Sequence, residues 1–273
     1  MRVLFLITVD CDLRCDDVDL RQESLEVLLD VFGEAELAGH ITWFLNENDF
    51  YLTRNHEPFL MEVVRRGDGL GVHDHFERFR CVYQRETIRR FCLRSKETVE
   101  RWLRENGHPM EVRLHRNGCL VQHPTIYAAL KDLGYRVVSE VYPGKKGVDR
   151  EDRPAYDNRS VPLGVMPYRH DEGNFMDWGS REGHFVQVPV MHMFLKNLDF
   201  KWMERWIGAF EERHMEAGIL LWLFHPYEVL GEDRRRISPE AVDVLRSHVE
   251  RCRSEFGVKF ANLEEALSLT GYL

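Results

Sequence analysis

Apolar residues along this chain come in short unbroken runs, and the runs are separated by stretches in which apolar positions fall three and four apart. A short continuous run is what a strand buried on both faces needs, whereas the three-and-four spacing gives a helix with one buried stripe. The runs predict strands over Arg2 to Val9, Ile41 to Leu45, Leu70 to His73, Val112 to His115, Arg136 to Ser139, His184 to Met191, Ile219 to Phe224 and Val258 to Ala261. Between them, Leu25, Leu28, Leu29 and Phe32 mark one helix, Phe59, Val63 and Val64 a second, and Ile88, Phe91, Val99, Trp102 and Leu103 a third. Ile126, Leu130 and Leu133 mark another, and two late helices are expected near Trp202 to Met215 and Pro239 to Phe256. Ser238 stands at the N-cap of the last, with Pro239 in the favoured first position. Strand and helix patterns that alternate from end to end predict stacked βα units around a mostly parallel sheet, and seven or eight strands suit a barrel.

One segment breaks the rhythm. From Val141 to Gly183 (about 141–183), Gly, Pro, Asp and Arg accumulate without periodicity. A loop of that length in a compact domain is functional or disordered. Its aromatics Tyr142, Tyr156, Tyr168 and Trp178 would let it cover a pocket; a surface insertion is the plain alternative. The expectation is a single domain over residues 1–273 with this insertion inside it.

Composition narrows the function classes. The 273 residues carry 37 Lys and Arg against 46 Asp and Glu, a net charge of −9. That balance argues against nucleic acid or an anionic membrane as partner, since both are gripped by clustered cations. No stretch approaches the length of about 20 apolar residues that a transmembrane segment needs. MRVLFLITVD meets Asp10 and Asp12 where a signal peptide would want small residues, so it reads as a first strand in a cytoplasmic protein. The six cysteines form no CxxC pair and are expected as reduced thiols.

In a parallel barrel, catalytic groups gather where strands end. Three expected strands end in side chains that bind metals or move protons: Thr8-Val9-Asp10-Cys11-Asp12, Gly71-Val72-His73-Asp74-His75-Phe76-Glu77, and Leu223-Phe224-His225-Pro226. Oxygen and imidazole donors at such ends suit Zn²⁺ or another divalent transition metal. If the third strand runs on, His73 and His75 share a face; if a helical turn begins, His73 pairs with Glu77. Arg113, on the fourth strand, could hold the Asp10 carboxylate ionised, or it could reach solvent.

Together these segments resemble the polysaccharide deacetylase (NodB-homology) family, carbohydrate esterase family four. Thr8 to Asp12 is similar to its first motif and Gly71 to Glu77 to its second, with Glu77 where the family has a second metal histidine. Arg113 and Leu133-Gly134-Tyr135 are similar to the third, and Leu223-Phe224-His225 to the last. The resemblance spans about residues 3 to 267. It implies an α/β fold, a distorted (β/α) barrel with about seven parallel strands. It also implies a metal-dependent carbohydrate deacetylase that removes an N-acetyl group from an amino sugar in a glycan or glycan precursor. Asp12 and His73, with Glu77 or His75, would hold one divalent metal, Zn²⁺ or else Mn²⁺ or Fe²⁺. Asp10 would be the base, His225 the acid and Arg113 the group that keeps Asp10 anionic. His115, Arg116, Trp222 and Tyr227 are expected to contact substrate. Two other readings are an amidohydrolase-type enzyme acting on a small cyclic amide, from the His73-x-His75 spacing, and a silent sugar-binding barrel.

Overall fold

A computed structural model describes residues 1–12, 17–46, 56–76, 84–196 and 198–273. The strands are β1 Arg2–Asp10, β2 Ile41–Asn46, β3 Gly69–Asp74, β4 Leu114–Asn117, β5 Val137–Val138, β6 Lys146–Val148, β7 Pro154–Asp157, β8 Tyr168–His170, β9 Phe185–Gln187, β10 His192–Met193, β11 Ala217–Phe224 and β12 Lys259–Phe260. The helices are α1 Val18–Glu34, α2 Glu57–Arg66, α3 Arg85–Glu105, α4 Pro124–Asp132, α5 Phe200–Glu212, α6 Pro239–Ser254 and α7 Leu263–Leu269. The chain divides into two compact units: Met1–Leu45, Asp49–Gly69 and Met191–Leu273 form the first, and Asn46–Asn48 with Leu70–Val190 the second.

In the first unit β1 is the central strand. It pairs in parallel with β11 from Arg2↔Ala217 to Val9↔Phe224, with β2 from Ile7↔Ile41 to Asp10↔Phe44, and with β12 at Phe5↔Phe260. Strand β10 extends the sheet beyond β11. Both faces of this strand are covered, so Leu4, Phe5, Leu6 and Ile7 are all buried, which accounts for the continuous apolar run. The Asp17 side chain opens α1 by accepting the N–H groups of Asp19 and Leu20, and the helix then buries Leu25, Leu28, Leu29 and Phe32. Trp43 of β2 meets Phe32 and Phe59 edge to face, 6.0 and 5.0 Å away. Ser238 caps α6 as its sequence predicts, accepting from Ala241 N–H.

In the second unit β3, β4, β5 and β9 pair in parallel, and β8 runs antiparallel to β9. The long helix α3 buries Ile88, Cys92, Ser95, Val99, Trp102 and Leu103. Strand β4 starts two residues later than its apolar run suggests. The Glu100 carboxylate takes the Val112 N–H at 2.9 Å, so that residue is held by a side chain and not by the ladder. The stretch from Val141 to Gly183 is not devoid of structure either. Strands β6 and β7 form an antiparallel hairpin within it, closed by the Asp149 carboxylate, which accepts the N–H groups of Glu151 and Arg153 at 2.8 and 3.0 Å. Among the described residues no helix is long and apolar enough to cross a membrane.

Truncating the centre of β1 tests the importance of this sheet. Leu6→Ala should cost about 2–5 kcal/mol of unfolding free energy in a denaturant titration, and a loss below about 1 kcal/mol would show that the strand is not the core it is taken to be.

Candidate active site

Polar side chains collect where the strands of the first unit stop. Asp10 is the last residue of β1 and only 2% exposed, and Asp12, two residues on, is buried as well. Since Val9 is in register with Phe224, Asp10 and His225 leave neighbouring parallel strands at the same level. A single carboxylate fixes His225. Glu228 Oε1 lies 2.8 Å from Nδ1 and also accepts the His225 backbone N–H at 2.9 Å, while Oε2 accepts the N–H of Leu195 at 2.6 Å. Nδ1 is thereby the protonated donor and Nε2 the nitrogen directed elsewhere. Sequence reasoning missed Glu228. The signal was present in His225-Pro226-Tyr227-Glu228, where an acid three residues after a strand-end residue and a proline at the first turn position have the spacing of a capping box.

In the second unit β3 carries His73, and His75 follows one residue past the strand's end. His73 donates from Nδ1 to the Arg116 carbonyl at 3.1 Å, and because a carbonyl can only accept, Nε2 bears the lone pair. The rings of His73 and His75 lie edge to face, 4.7 Å apart, as alternation along an extended chain requires. His75 packs so closely on Gly118 that a Cβ there would come 2.1 Å from its Nδ1, so any larger residue would have to displace the imidazole. Arg150, on the inserted segment, reaches to 3.4 Å from His75 Nε2. Asp74, between the two histidines, points the other way. It accepts from Ser95 Oγ at 2.6 Å and from His115 Nε2 at 3.0 Å. Cys92 completes a buried group with Asp74 and His115, its thiol pushed up by burial and by the neighbouring carboxylate.

Several expected contacts fall elsewhere. Arg113 precedes β4 at its amino end, is exposed, and pairs with Glu111 at 2.8 Å; it is not an arginine at a strand's carboxyl end. The buried one of the two is Arg116, whose Nε and a guanidinium nitrogen donate to Ser139 O and Oγ at 3.1 and 3.0 Å. His115 is a core residue, stacked on Phe76 and bonded to Asp74. Trp222 is buried too, with its indole N–H given to the Phe194 carbonyl at 3.0 Å. Tyr227 alone of the expected substrate contacts is half-exposed, stacked on His225 at 4.8 Å. Glu77 lies outside the described residues, as do Cys15 and Cys81. Cys11, Cys92, Cys119 and Cys252 are free thiols.

A second acid was not foreseen. Glu140, just past β5, is fully buried, accepts the Asn117 N–H at 3.2 Å, and has its pKa pushed up to about 8 by burial, against the pull of Arg116. An acid that titrates higher when folded than its usual 4.5 holds a proton the unfolded chain has released. Its contribution is therefore full below about pH 4.5 and is lost as pH rises toward about 8. Glu140→Gln should remove this term, so the stability gap between wild type and variant should shift in the variant's favour by up to about 1.4 kcal/mol per pH unit. Parallel denaturation curves of the two proteins would contradict the assignment.

Neither a family model nor a curated protein matches the sequence. Among solved structures the chain is similar to a Mycobacterium smegmatis protein assigned as a polysaccharide deacetylase, at 15% identity and a TM-score of 0.60 over 98% of this chain and 89% of that one. It is also similar to a 4-alpha-glucanotransferase from Thermococcus litoralis, at 11% identity and a TM-score of 0.58, over 98% of this chain and 40% of the other. A Bordetella bronchiseptica protein assigned as a polysaccharide deacetylase involved in O-antigen biosynthesis aligns at 17% identity and a TM-score of 0.48, over 90% of each chain. This chain therefore has the α/β fold expected from its sequence, the (β/α) barrel type of the polysaccharide deacetylases.

Proposed function

We propose that this chain is a metal-dependent hydrolase that removes the N-acetyl group from an amino sugar in a glycan or glycan precursor. The observation that carries this reading is the register of β1 and β11, which sets a buried carboxylate and an oriented imidazole at adjacent strand ends. Amide hydrolysis needs a group to take the proton of the attacking water and a group to give one to the departing amine. Asp10 takes the first and His225 gives the second. Glu228 holds the imidazole plane through Nδ1, which leaves Nε2 as the nitrogen that passes the proton. The fold alone does not select this reaction, because a glucanotransferase shares it.

Asp12 and His73, with His75 or Glu77 as the third ligand, would be the donor set for one divalent metal, Zn²⁺ first and Mn²⁺ or Fe²⁺ as alternatives, on the chemistry of their side chains. The His73 tautomer fits that role, since the Arg116 carbonyl holds Nδ1–H and leaves Nε2 as the electron-pair donor. When bound, such an ion polarises a carbonyl and acidifies water. The contact of Arg150 with His75 supports a covering role for the inserted segment over the substrate.

Replacing Asp12 or His73 by Ala should strip the metal measured by elemental analysis. Asp10→Asn should keep the metal and lower acetate release from N-acetylglucosamine oligomers by about 10²–10⁴-fold. Equal metal content in wild type, Asp12→Ala and His73→Ala, or full turnover in Asp10→Asn, would overturn the proposal.

A further inference from the structure

Phe194 is an aromatic side chain kept where the core does not need it. It is 42% exposed, and its backbone has φ +76, a left-handed conformation that a bulky residue adopts only when its surroundings impose it. Both of its main-chain groups are held: the N–H donates to Leu223 O at 2.8 Å, and the carbonyl accepts the Trp222 indole N–H at 3.0 Å. The result is an exposed ring lying 6.0 Å from the His225 imidazole at an interplanar angle of 30°. Tyr227 stacks on the same imidazole at 4.8 Å and 23°. Phe194 and Tyr227 thus both lie beside the imidazole already argued to pass a proton, as an aromatic wall whose planes are within 30° of its own. At the edge of this wall the Arg234 guanidinium lies 5.3 Å from the Tyr227 ring centroid. Arg234 is at the tip of a short hairpin fixed by the Leu230↔Ile237 bridge and by the bond from Gly231 N–H to Arg236 O at 2.9 Å. It too has a positive φ, +52, with its N–H given to Gly231 O at 2.8 Å.

We propose that Phe194, Tyr227 and Arg234 form a binding platform for an amino sugar that carries a phosphate: the rings take the apolar face of the pyranose and the guanidinium takes the phosphate. Aromatic faces present a flat apolar surface to the C–H groups of a sugar ring, and a guanidinium recognises phosphate oxygens through its planar donors. The inference rests on the reading of His225 as the proton donor to a sugar amine, and it narrows the substrate to a phosphate-linked precursor instead of a neutral polymer. The phosphate could belong to a nucleotide or to a lipid carrier.

The test is a binding titration on the whole, metal-loaded protein with N-acetylglucosamine, N-acetylglucosamine 1-phosphate and UDP-N-acetylglucosamine, read by calorimetry alongside acetate release. The 1-phosphate should bind about tenfold more tightly than the neutral sugar, and Arg234→Met should make the two equal. Phe194→Gly removes the ring while suiting the backbone; it should weaken all three sugars about tenfold with no loss of thermal stability, and Phe194→Tyr should restore binding. Tighter binding of the UDP sugar than of the 1-phosphate supports the platform with a nucleotide-linked substrate; equal binding supports it with a lipid-linked one. Wild-type affinity in Phe194→Gly, a preference that survives Arg234→Met, or no preference for the phosphorylated sugar would overturn it. Binding as described with no acetate released from any of the three would overturn the deacetylase reading and leave the platform standing.

Discussion

A strand buried on both faces can carry a charged side chain only where it stops. Strands β1 and β11 run in parallel over their full common length with both faces covered, so an ionisable group within them would lose its hydration without compensation. Parallel pairing then brings the two places where such groups are tolerated to the same level, at Asp10 and at His225. The candidate chemistry of the first unit follows from this one constraint. Each is the first ionisable residue after an apolar run, and Glu228 then fixes the His225 ring.

The second unit meets the same constraint by a different route, burying polar groups and satisfying them. Asp74 receives the Ser95 hydroxyl and the His115 imidazole, and Arg116 gives its donors to Ser139. Such groups are costly when unpaired and rigid when paired. Their position matters because His73↔Arg116 and Asp74↔Asn117 are register partners. The bond from His115 Nε2 to the Asp74 carboxylate ties β3 to β4 on one face, and the bond from His73 to the Arg116 carbonyl ties them on the other. The end of β3 is thus clamped from both sides, which holds the His73 ring in one orientation and one tautomer.

The sequence patterns that were most legible are those with the simplest physical cause. The apolar run from Arg2 to Val9 could be little but a buried parallel strand, and Ser238-Pro239 little but a helix start. What misled was polarity near a strand. Arg113 and Arg116 sit three residues apart around one apolar run, and nothing local says which of them lies past the strand's end. The Glu100 carboxylate decides it by holding Val112 off the ladder, a contact between residues twelve apart. His115 and Trp222 look like site residues because of their chemistry, yet each finds its partner inside the core. Glu140 and Glu228 escaped notice for the converse reason, since an acid in a polar stretch draws no attention until its burial or its partner is known. The segment from Val141 to Gly183 hid a hairpin because its turn is closed by the Asp149 side chain and carries no hydrophobic alternation.

The central proposal is that Asp12, His73 and His75 would hold a divalent metal. Anomalous diffraction at the zinc edge from crystals of the zinc-loaded protein tests it most directly. The account predicts one strong peak within about 2.0–2.2 Å of one Asp12 oxygen and one nitrogen of each histidine. A peak seated instead among Asp74, Cys92 and His115, a buried group in the second unit with metal-type donors within 4.8 Å of one another, would contradict it.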